Sequence, residues 1–567
     1  MKKNVICVLI VLTICFSSLF ASTAKVFELG HSVYDEVEML YVAEGKASPM
    51  GAKPWTGSDI ARVLRGVNPS SETTKALWDR ISSYLDDYEG SGVMFDAVLQ
   101  PHVLLRSNAE LDDVKYIVSS DKLDMQPAWF GLGYQYGDFA ALYMDAAIGV
   151  PPADIHTADV ETFSPDKYPE VRSGKAFATN IPALPDEFSI TNFPMKAYLS
   201  IGNDVFRVIS GRGQVEWGNG VMGNMILGNT LPYHDYLSLS FHGDDTFSYQ
   251  LLGSFFSHSV NKQNGTDDRK PISGIRMFLG HRFEFRFFDG AFIMTLNDSV
   301  MYQSPDNYFD LRLLNPMFFL HNGYMAGNSN SLASLEIEYS PVKNLSLYAQ
   351  VAFDDYAVPG EPKPGESGGS ADGLGCMAGI RYSLPTSSKG FWHGDLEFVY
   401  TSPYMYHRAM EEDYPYPREL YFVSSNRYYT TSKGQTFLER YLSFPFGSDA
   451  IVGQLRSGYT QPGLFSVMGS ARFMAHGVID EYSSIRQYKG GEPIISTPST
   501  SNPLGAGEDK GGAVEYTLVL GLEGQYEIFP WLPVTAGIKF VSVWNRGNYN
   551  VPAQLDVQLD FGITLKY

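Results

Sequence analysis

The sequence has little cysteine. There are 3 in 567 residues, and Cys7 and Cys15 sit in the apolar leader, which leaves Cys376 alone beyond it. An intramolecular disulfide is then impossible, so an exported chain must draw its stability from elsewhere. Long apolar runs are also scarce. Past residue 24 no stretch is apolar for the roughly 20 residues that a membrane helix needs. Positive charge is short as well: 42 Lys and Arg face 63 Asp and Glu, a formal net charge of −21. That balance argues against a nucleic-acid partner and against a polybasic lipid contact. The 11 His are scattered, with no His-x-x-x-His and no metal-ligand spacing, so neither a metal nor another cofactor is expected.

What is present is alternation. From Leu555 to Tyr567 every second residue is apolar: Leu555, Val557, Leu559, Phe561, Ile563, Leu565 and Tyr567. Asp556, Gln558, Asp560, Gly562, Thr564 and Lys566 lie between them. Strand side chains alternate faces, so this strand has one apolar and one polar face. A half-buried strand of a soluble protein could read the same way. The length of the alternation, its terminal position and many similar segments upstream favour a membrane barrel, whose strands need about 9–11 such residues. Aromatics make up 14% of the chain, enough for girdles at two membrane interfaces. A closed barrel also supplies the stability that disulfides do not.

The leader reads as a secretory signal. Lys2 and Lys3 precede the apolar run Val5 to Phe16, and small residues follow at Ser22 and Ala24. Cleavage is expected after Ala24, which takes the net charge from −21 to −23. A lipoprotein signal at Leu12-Thr13-Ile14-Cys15 is disfavoured by the bulk of Ile14. A helical module follows over 25–92. Val33, Val37, Leu40 and Tyr41 recur at helical spacing. Ser58 reads as N-cap of a helix to Arg65 with Gly66 as stop, and Ser70 or Ser71 caps a longer helix to about Tyr88.

From about residue 93 onward the pattern is strands. Short turns such as Gly137-Asp138, Gly202-Asn203, Asp244-Asp245 and Phe288-Asp289-Gly290 alternate with long connections such as Pro151–Phe193, Gly211–His234 and Asp354–Leu374. Outer-membrane barrels alternate short periplasmic turns with long outer loops. Parity requires one more strand between Thr401 and the strand expected at Gln435–Phe444, and Glu419–Ser425 supplies it, giving about 20 strands.

The most distinctive stretch is Arg207 to Tyr233, Arg-Val-Ile-Ser-Gly-Arg-Gly-Gln-Val-Glu-Trp-Gly-Asn-Gly-Val-Met-Gly-Asn-Met-Ile-Leu-Gly-Asn-Thr-Leu-Pro-Tyr. Gly211, Arg212, Trp217, Gly218, Gly220, Leu227, Asn229 and Pro232 in it resemble the signature of the Wzi-type capsule-assembly family of bacterial outer membranes. Val33–Gly45, Lys53-Pro54-Trp55-Thr56 and Asp59–Leu64 look like that family's N-terminal helices, and Leu314-Asn315-Pro316 like its later Asn-Pro element. From about Gly375 onward only generic barrel strands are recognisable. The resemblance implies a barrel of about 18 strands, plugged rather than open, with a lectin-like and non-catalytic role toward surface polysaccharide.

Five glycines fall between Gly211 and Gly223, too many for a membrane-spanning strand. One reading is a loop folded into the lumen, held by an Arg212–Glu216 pair and a buried Trp217. The sharper reading is a ligand site, with Trp217 stacking on a sugar and Arg212 or Glu216 bonding its hydroxyls. A phosphate loop is rejected, because no Gly-Lys-Ser/Thr follows. A second candidate is the outer loop Tyr404–Arg418. There Tyr404, Tyr406, Tyr414 and Tyr416 mix with Glu411, Glu412, Asp413, Arg408 and Arg418. It fits a glycan surface, an aromatic girdle with an acidic tip, or a weak calcium site. Gly365–Gly369 matches Gly-x-Ser-x-Gly but lies in a Pro/Gly-rich loop, so it reads as chance. Ser240 and His242 share a strand face without forming a recognisable catalytic pair.

The reading is therefore an all-β protein: an antiparallel transmembrane β-barrel of about 18 strands (18–20) over 93–567, behind a small periplasmic helical module. Its expected place is the bacterial outer membrane. Its expected partners are surface polysaccharide, outer-membrane lipid and, through the strand ending at Tyr567, the barrel-assembly machinery. A porin or solute channel is the alternative, and a surface adhesin the third.

Overall fold

The structure, a computed structural model, describes residues 24–49, 51–86, 91–108, 111, 126–149, 176–181, 189–190, 194–229, 231–243, 246–257, 274–316, 328–354, 366–367, 372–408, 420–430, 434–481, 483, 496–501 and 512–567. The signal peptide expected over 1–24 lies outside them except for Ala24.

Three helices open the chain: Val33–Ala43 (α1), Gly57–Arg65 (α2) and Glu72–Asp86 (α3). Val33, Val37 and Leu40 of α1 meet Ile60 and Val63 of α2 and Leu77 and Ile81 of α3 in one buried cluster, which Phe391 of the barrel wall completes. The cap of α2 is Thr56 rather than Ser58. Thr56 and Asp59 exchange side-chain and backbone bonds, a capping box that starts the helix one residue before Ser58.

The barrel strands are Gly92–Leu99 continuing after Pro101 as His102–Arg106 (β1), Ala128–Tyr136 (β2), Ala140–Gly149 (β3), Ala197–Gly202 (β4), Phe206–Gly213 (β5), His234–Gly243 (β6), Phe247–Phe255 (β7), Ile275–Phe287 (β8) and Phe292–Ser304 (β9). They go on with Ser329–Val342 (β10), Leu345–Asp354 (β11), Gly373–Pro385 (β12), Phe391–Thr401 (β13), Ala450–Gln461 (β14), Phe465–His476 (β15), Glu515–Phe529 (β16), Leu532–Trp544 (β17) and Gln554–Ile563 continuing as Leu565–Lys566 (β18). Every neighbouring pair is antiparallel. At the seam, Gln558–Gly562 pairs with His102–Arg106 and Leu565 with Leu99. β1 pairs with β2, β2 with β3 and β3 with β4, so among the described residues the circuit of pairings returns to its start after 18 strands.

Eighteen is lower than the count from alternation and loop parity. Val423–Thr430 and Gly434–Tyr441, near the two segments expected as extra wall strands, pair only with each other as a separate ribbon, and β13 pairs directly with β14. Both segments have strand periodicity, and periodicity alone does not say which sheet a strand joins.

The wall is inside out relative to a soluble barrel. Leu559 is 46% exposed on the outside while its neighbour Asp560 is 4% exposed inside. The same alternation runs round the wall, as a lipid-facing band requires. One loop lies on that outer face. Leu313, in the 3-10 turn Leu311–Leu314, is buried against Met277, Leu279, Val300 and Tyr302, and its carbonyl meets His281 Nε2 at 2.9 Å. Asn315 and Pro316 follow it, both exposed.

The helical module packs against the end where the turns are short. Arg65 pairs with Asp204 (3.1 Å), Lys46 with Asp289 (3.2 Å) and Glu44 with Lys343 (2.9 Å), and Thr73 donates to the Thr386 carbonyl (2.7 Å). Four turns of the barrel thus hold the module by its edge.

Candidate functional site

The residues after β5 leave the wall and enter the barrel. Three features turn them inward. Gly218 has a φ of +115°, and a Cβ there would lie 2.1 Å from Asn224 Oδ1. Gly223, at +135°, leaves a Cβ only 2.4 Å from Pro445 Cδ. Only glycine fits both places. On either side of them, Trp217 N–H donates to the Leu227 carbonyl at 3.0 Å and closes the loop on itself.

The wall supplies a cradle of long polar side chains. Glu397 accepts from the backbone N–H groups of Val221 (2.8 Å) and Met222 (2.9 Å), and from the Tyr348 hydroxyl (2.7 Å). Gln350 accepts from Met225 N–H (2.9 Å) and donates to Asn224 Oδ1 (2.7 Å). Glu338 accepts from Asn219 (3.0 Å), and Arg381 donates to the Asn219 carbonyl (2.7 Å). These bonds satisfy loop backbone groups that no sheet reaches.

The loop also joins the helical module to the outer end of the lumen. Glu216–Trp217 pairs as a short strand with Ala52–Lys53, and Gly218 N–H donates to the Gly51 carbonyl at 2.8 Å. On its other side, Gly228 N–H donates to the Leu442 carbonyl (2.8 Å) and Ser443 Oγ to the Ile226 carbonyl (2.7 Å). Met225, Ile226 and Leu227 meet Met405, Tyr406, Phe422 and Phe444 in an apolar cluster across the outer part of the lumen.

The structure therefore places the motif as a lumen plug and gives its residues these partners. Trp217 is fully buried, its Nε1 donating to Gln250 Oε1 and its ring edge-on to Phe278. No ring face is left for a sugar. Arg212 and Glu216 do not pair. Arg212 bonds Asp235 through two nitrogens (2.6 and 2.9 Å) and lies 4.1 Å over the Tyr233 ring. Glu216 takes Lys53 (3.1 Å) and Asn224 (2.9 Å). The register sets Arg212 opposite Asp235. A four-residue spacing makes neighbours on a helix, whereas a strand makes neighbours across the ladder. Gly211 lies in the wall strand β5 between Tyr198 and Tyr236, Gly220 lies in the inward loop with its N–H donating to Asn224 Oδ1 (2.9 Å), Asn229 is exposed, and Pro232 is half-buried.

Tyr404 and Tyr406 are not on an outer surface. Both are buried; Tyr406 bonds the Met225 carbonyl (3.2 Å) and packs 5.7 Å from the Tyr441 ring. The chain turns inward after β13, so these tyrosines cap the lumen. Tyr414, Tyr416, Glu411, Glu412, Asp413 and Arg418 lie outside the described residues. Ser240 is engaged by Arg207 and Gln250, and His242 Nε2 lies 3.4 Å from Asp59.

The sequence motif did not reveal the cradle. Gln250, Glu338, Gln350, Arg381 and Glu397 come from separate strands. The available signal was a long polar residue at an inward position on each of β7, β10, β11, β12 and β13.

No protein-family model matches the chain, and no curated protein sequence matches it. Among solved structures it is similar to Wzi, an outer membrane protein involved in group 1 capsule assembly in Escherichia coli and a carbohydrate-binding β-barrel. The TM-score is 0.57 at 11% identity, over 95% of this chain and 99% of that one. It is also similar, more distantly, to OpdK of Pseudomonas aeruginosa with vanillate, with a TM-score of 0.39 and 10% identity over 84% of this chain and 98% of that one. The resemblance first seen in the Gly211–Pro232 motif thus extends to the architecture, and the chain has the fold of the Wzi barrel.

Proposed function

We propose that this is an outer-membrane protein that binds and organises surface polysaccharide and catalyses no reaction. The observation that carries the reading is the lumen plug of 214–229 together with fold likeness to Wzi over nearly the whole chain. A solute channel needs an unobstructed lumen, and the apolar cluster around Ile226 and Phe444 weighs against one. Outer-membrane lipid is the proposed surrounding of the apolar band. The strand ending at Tyr567 is the proposed signal to the barrel-assembly machinery. The short-turn end with the helical module is assigned to the periplasm.

The test compares the parent bacterium with a strain lacking this protein. Cell-attached polysaccharide is expected to fall, with release into the medium, and the purified protein is expected to retain that polysaccharide on a sensor surface. Unchanged attachment together with no retention would refute the proposal.

A further inference from the structure

The plug does not fill the barrel evenly. On the β8–β13 side the inward residues Arg282, Glu338, Gln350 and Glu397 are all buried against the loop and the module. On the β14–β17 side they are not. Glu523 is 43% exposed and Arg456 38% exposed. Ser470, Lys539 and Thr535 are half-buried, and Gln525 is exposed. These side chains face inward. Glu523 stands opposite Gly537, which stands opposite the buried Asp560, while Leu522 and Ile538 beside them are exposed on the outer band. An inward side chain that still meets water borders a water-filled space.

That space is closed at one end. Towards the outer loops, Val452, Met474, Val519, Val541 and Val543 point inward and are buried in the apolar cluster that holds Ile226 and Phe444. Towards the short turns, Gln525 and Thr535 lie opposite each other in register, within reach of solvent, and Arg80 of α3 stands at the mouth beside Glu527 (3.9 Å).

The lining is chemically selective. Its uncharged groups are hydroxyls, amides and the thioether of Met468, which stands opposite Glu523. Arg456 holds Asp395 (2.8 Å) and Lys539 holds Glu523 (3.2 Å), so each cation is prepaired and oriented. Gly458, Gly521 and Gly537 leave room for the neighbouring side chains of Met468, Ser470 and Asp560, which lie over them. No inward position of these four strands is aromatic, so a stacked ring is not the mode of recognition. Hydroxyl and amide groups beside oriented cations suit a hydroxylated ligand carrying carboxylate.

We infer that the β14–β17 side of the lumen is a one-ended vestibule, entered from the short-turn end, that takes the end of an acidic, hydroxyl-rich glycan chain. The vestibule stands on geometry alone. Its glycan ligand rests on the polysaccharide reading above.

The test uses the full-length protein in lipid nanodiscs, with Cys376→Ser as background. Ser470→Cys and Gln525→Cys report on the vestibule, Val541→Cys on the apolar closure, and Ser346→Cys on the plugged side. A small anionic maleimide is expected to label the first two at least tenfold faster than the last two. Ser470→Cys reacting as slowly as Val541→Cys, in protein whose Gln525→Cys variant is also unreactive, overturns the vestibule. Trigalacturonate is then expected to slow labelling of Ser470→Cys severalfold, with maltotriose leaving it unchanged. Equal effects of the two sugars, or none, overturn the ligand class. If labelling fails while cells still need the protein to retain polysaccharide, the vestibule is refuted and the polysaccharide reading stands.

Discussion

Trp217 shows at a single residue how the motif works. Its indole fills the space above Gly280, where a Cβ would come within 2.8 Å of the ring, and its N–H is spent on Gln250. Removing a buried tryptophan costs about 3–5 kcal/mol where the surroundings cannot collapse. A closed wall of hydrogen-bonded strands cannot collapse readily. Trp217→Ala is therefore expected to lower the unfolding free energy of the barrel by an amount in that range and with it the denaturant midpoint, and Gly218→Ala to act in the same direction through its positive φ and its contact with Asn224. A Trp217→Ala variant with an unchanged midpoint would show that the loop hangs free in the lumen. The glycines and Trp217 were legible as a folded-in loop because their composition is wrong for a strand. Their partners were not, because Gln350 and Glu397 meet the loop only after the barrel closes. Local spacing suggested Arg212 with Glu216, and the ladder gave Arg212 to Asp235 instead.

At the scale of elements, the helical module is held by groups that titrate. Burial, aided by the charges of Lys566 and Lys25, pushes the His31 imidazole down to about 4. Its ring lies edge-on to Phe27 (5.2 Å) and Tyr84 (5.0 Å). Burial raises the Glu44 carboxyl, but bonds from Ser70 N–H, Thr74 and Lys343 outweigh it and leave it below the usual carboxylate range. Both groups have a lower pKa docked than undocked, so both stabilise docking at neutral pH and lose that contribution as pH falls. The His31 part is full above about pH 6.5 and disappears towards pH 4, worth at most about 3 kcal/mol. The Glu44 part goes only below that window. Burial raises the Glu38 carboxyl on α1 to about 7 and acts in the opposite direction, so the His31 part is read as a difference: the hydrogen-exchange protection factors of α1–α3 are expected to fall more from pH 7 to 4 in the parent protein than in His31→Gln. The same pH profile of protection in the parent protein and in His31→Gln would remove His31 from this role. The module's helices were legible from apolar spacing. That four barrel turns grip it was not, because Asp204, Asp289 and Lys343 look like ordinary solvated turn residues in the sequence.

At the scale of the whole molecule, closure is layered. The module covers the short-turn end beneath β8–β13 and reaches the β4–β5 turn at Asp204 and, through Arg80, Glu527 of β16, the Gly-rich loop fills the β8–β13 side at mid-height, and the apolar cluster of Ile226, Tyr406, Phe422 and Phe444 spans the outer part. Eighteen strands give a lumen too wide for one loop to block, so a sequence reading that finds one plug understates the barrier. The layers also differ in chemistry. The lower ones are held by ion pairs and hydrogen bonds, the outer one by apolar burial, which water does not bridge. In a planar bilayer the intact protein is expected to carry no steady current. Deleting residues 24–86 is expected to leave it silent, because the vestibule along β14–β17 already reaches the apolar layer from that side and still meets Val519 and Val541. Only shortening the connection between β13 and β14, which carries the buried Tyr406, Phe422 and Phe444, together with the Gly-rich loop is expected to give large steady steps. Steady conductance from the intact protein would place the barrier elsewhere and favour a channel. Silence in the doubly shortened but folded barrel would show that the outer loops close it without these segments.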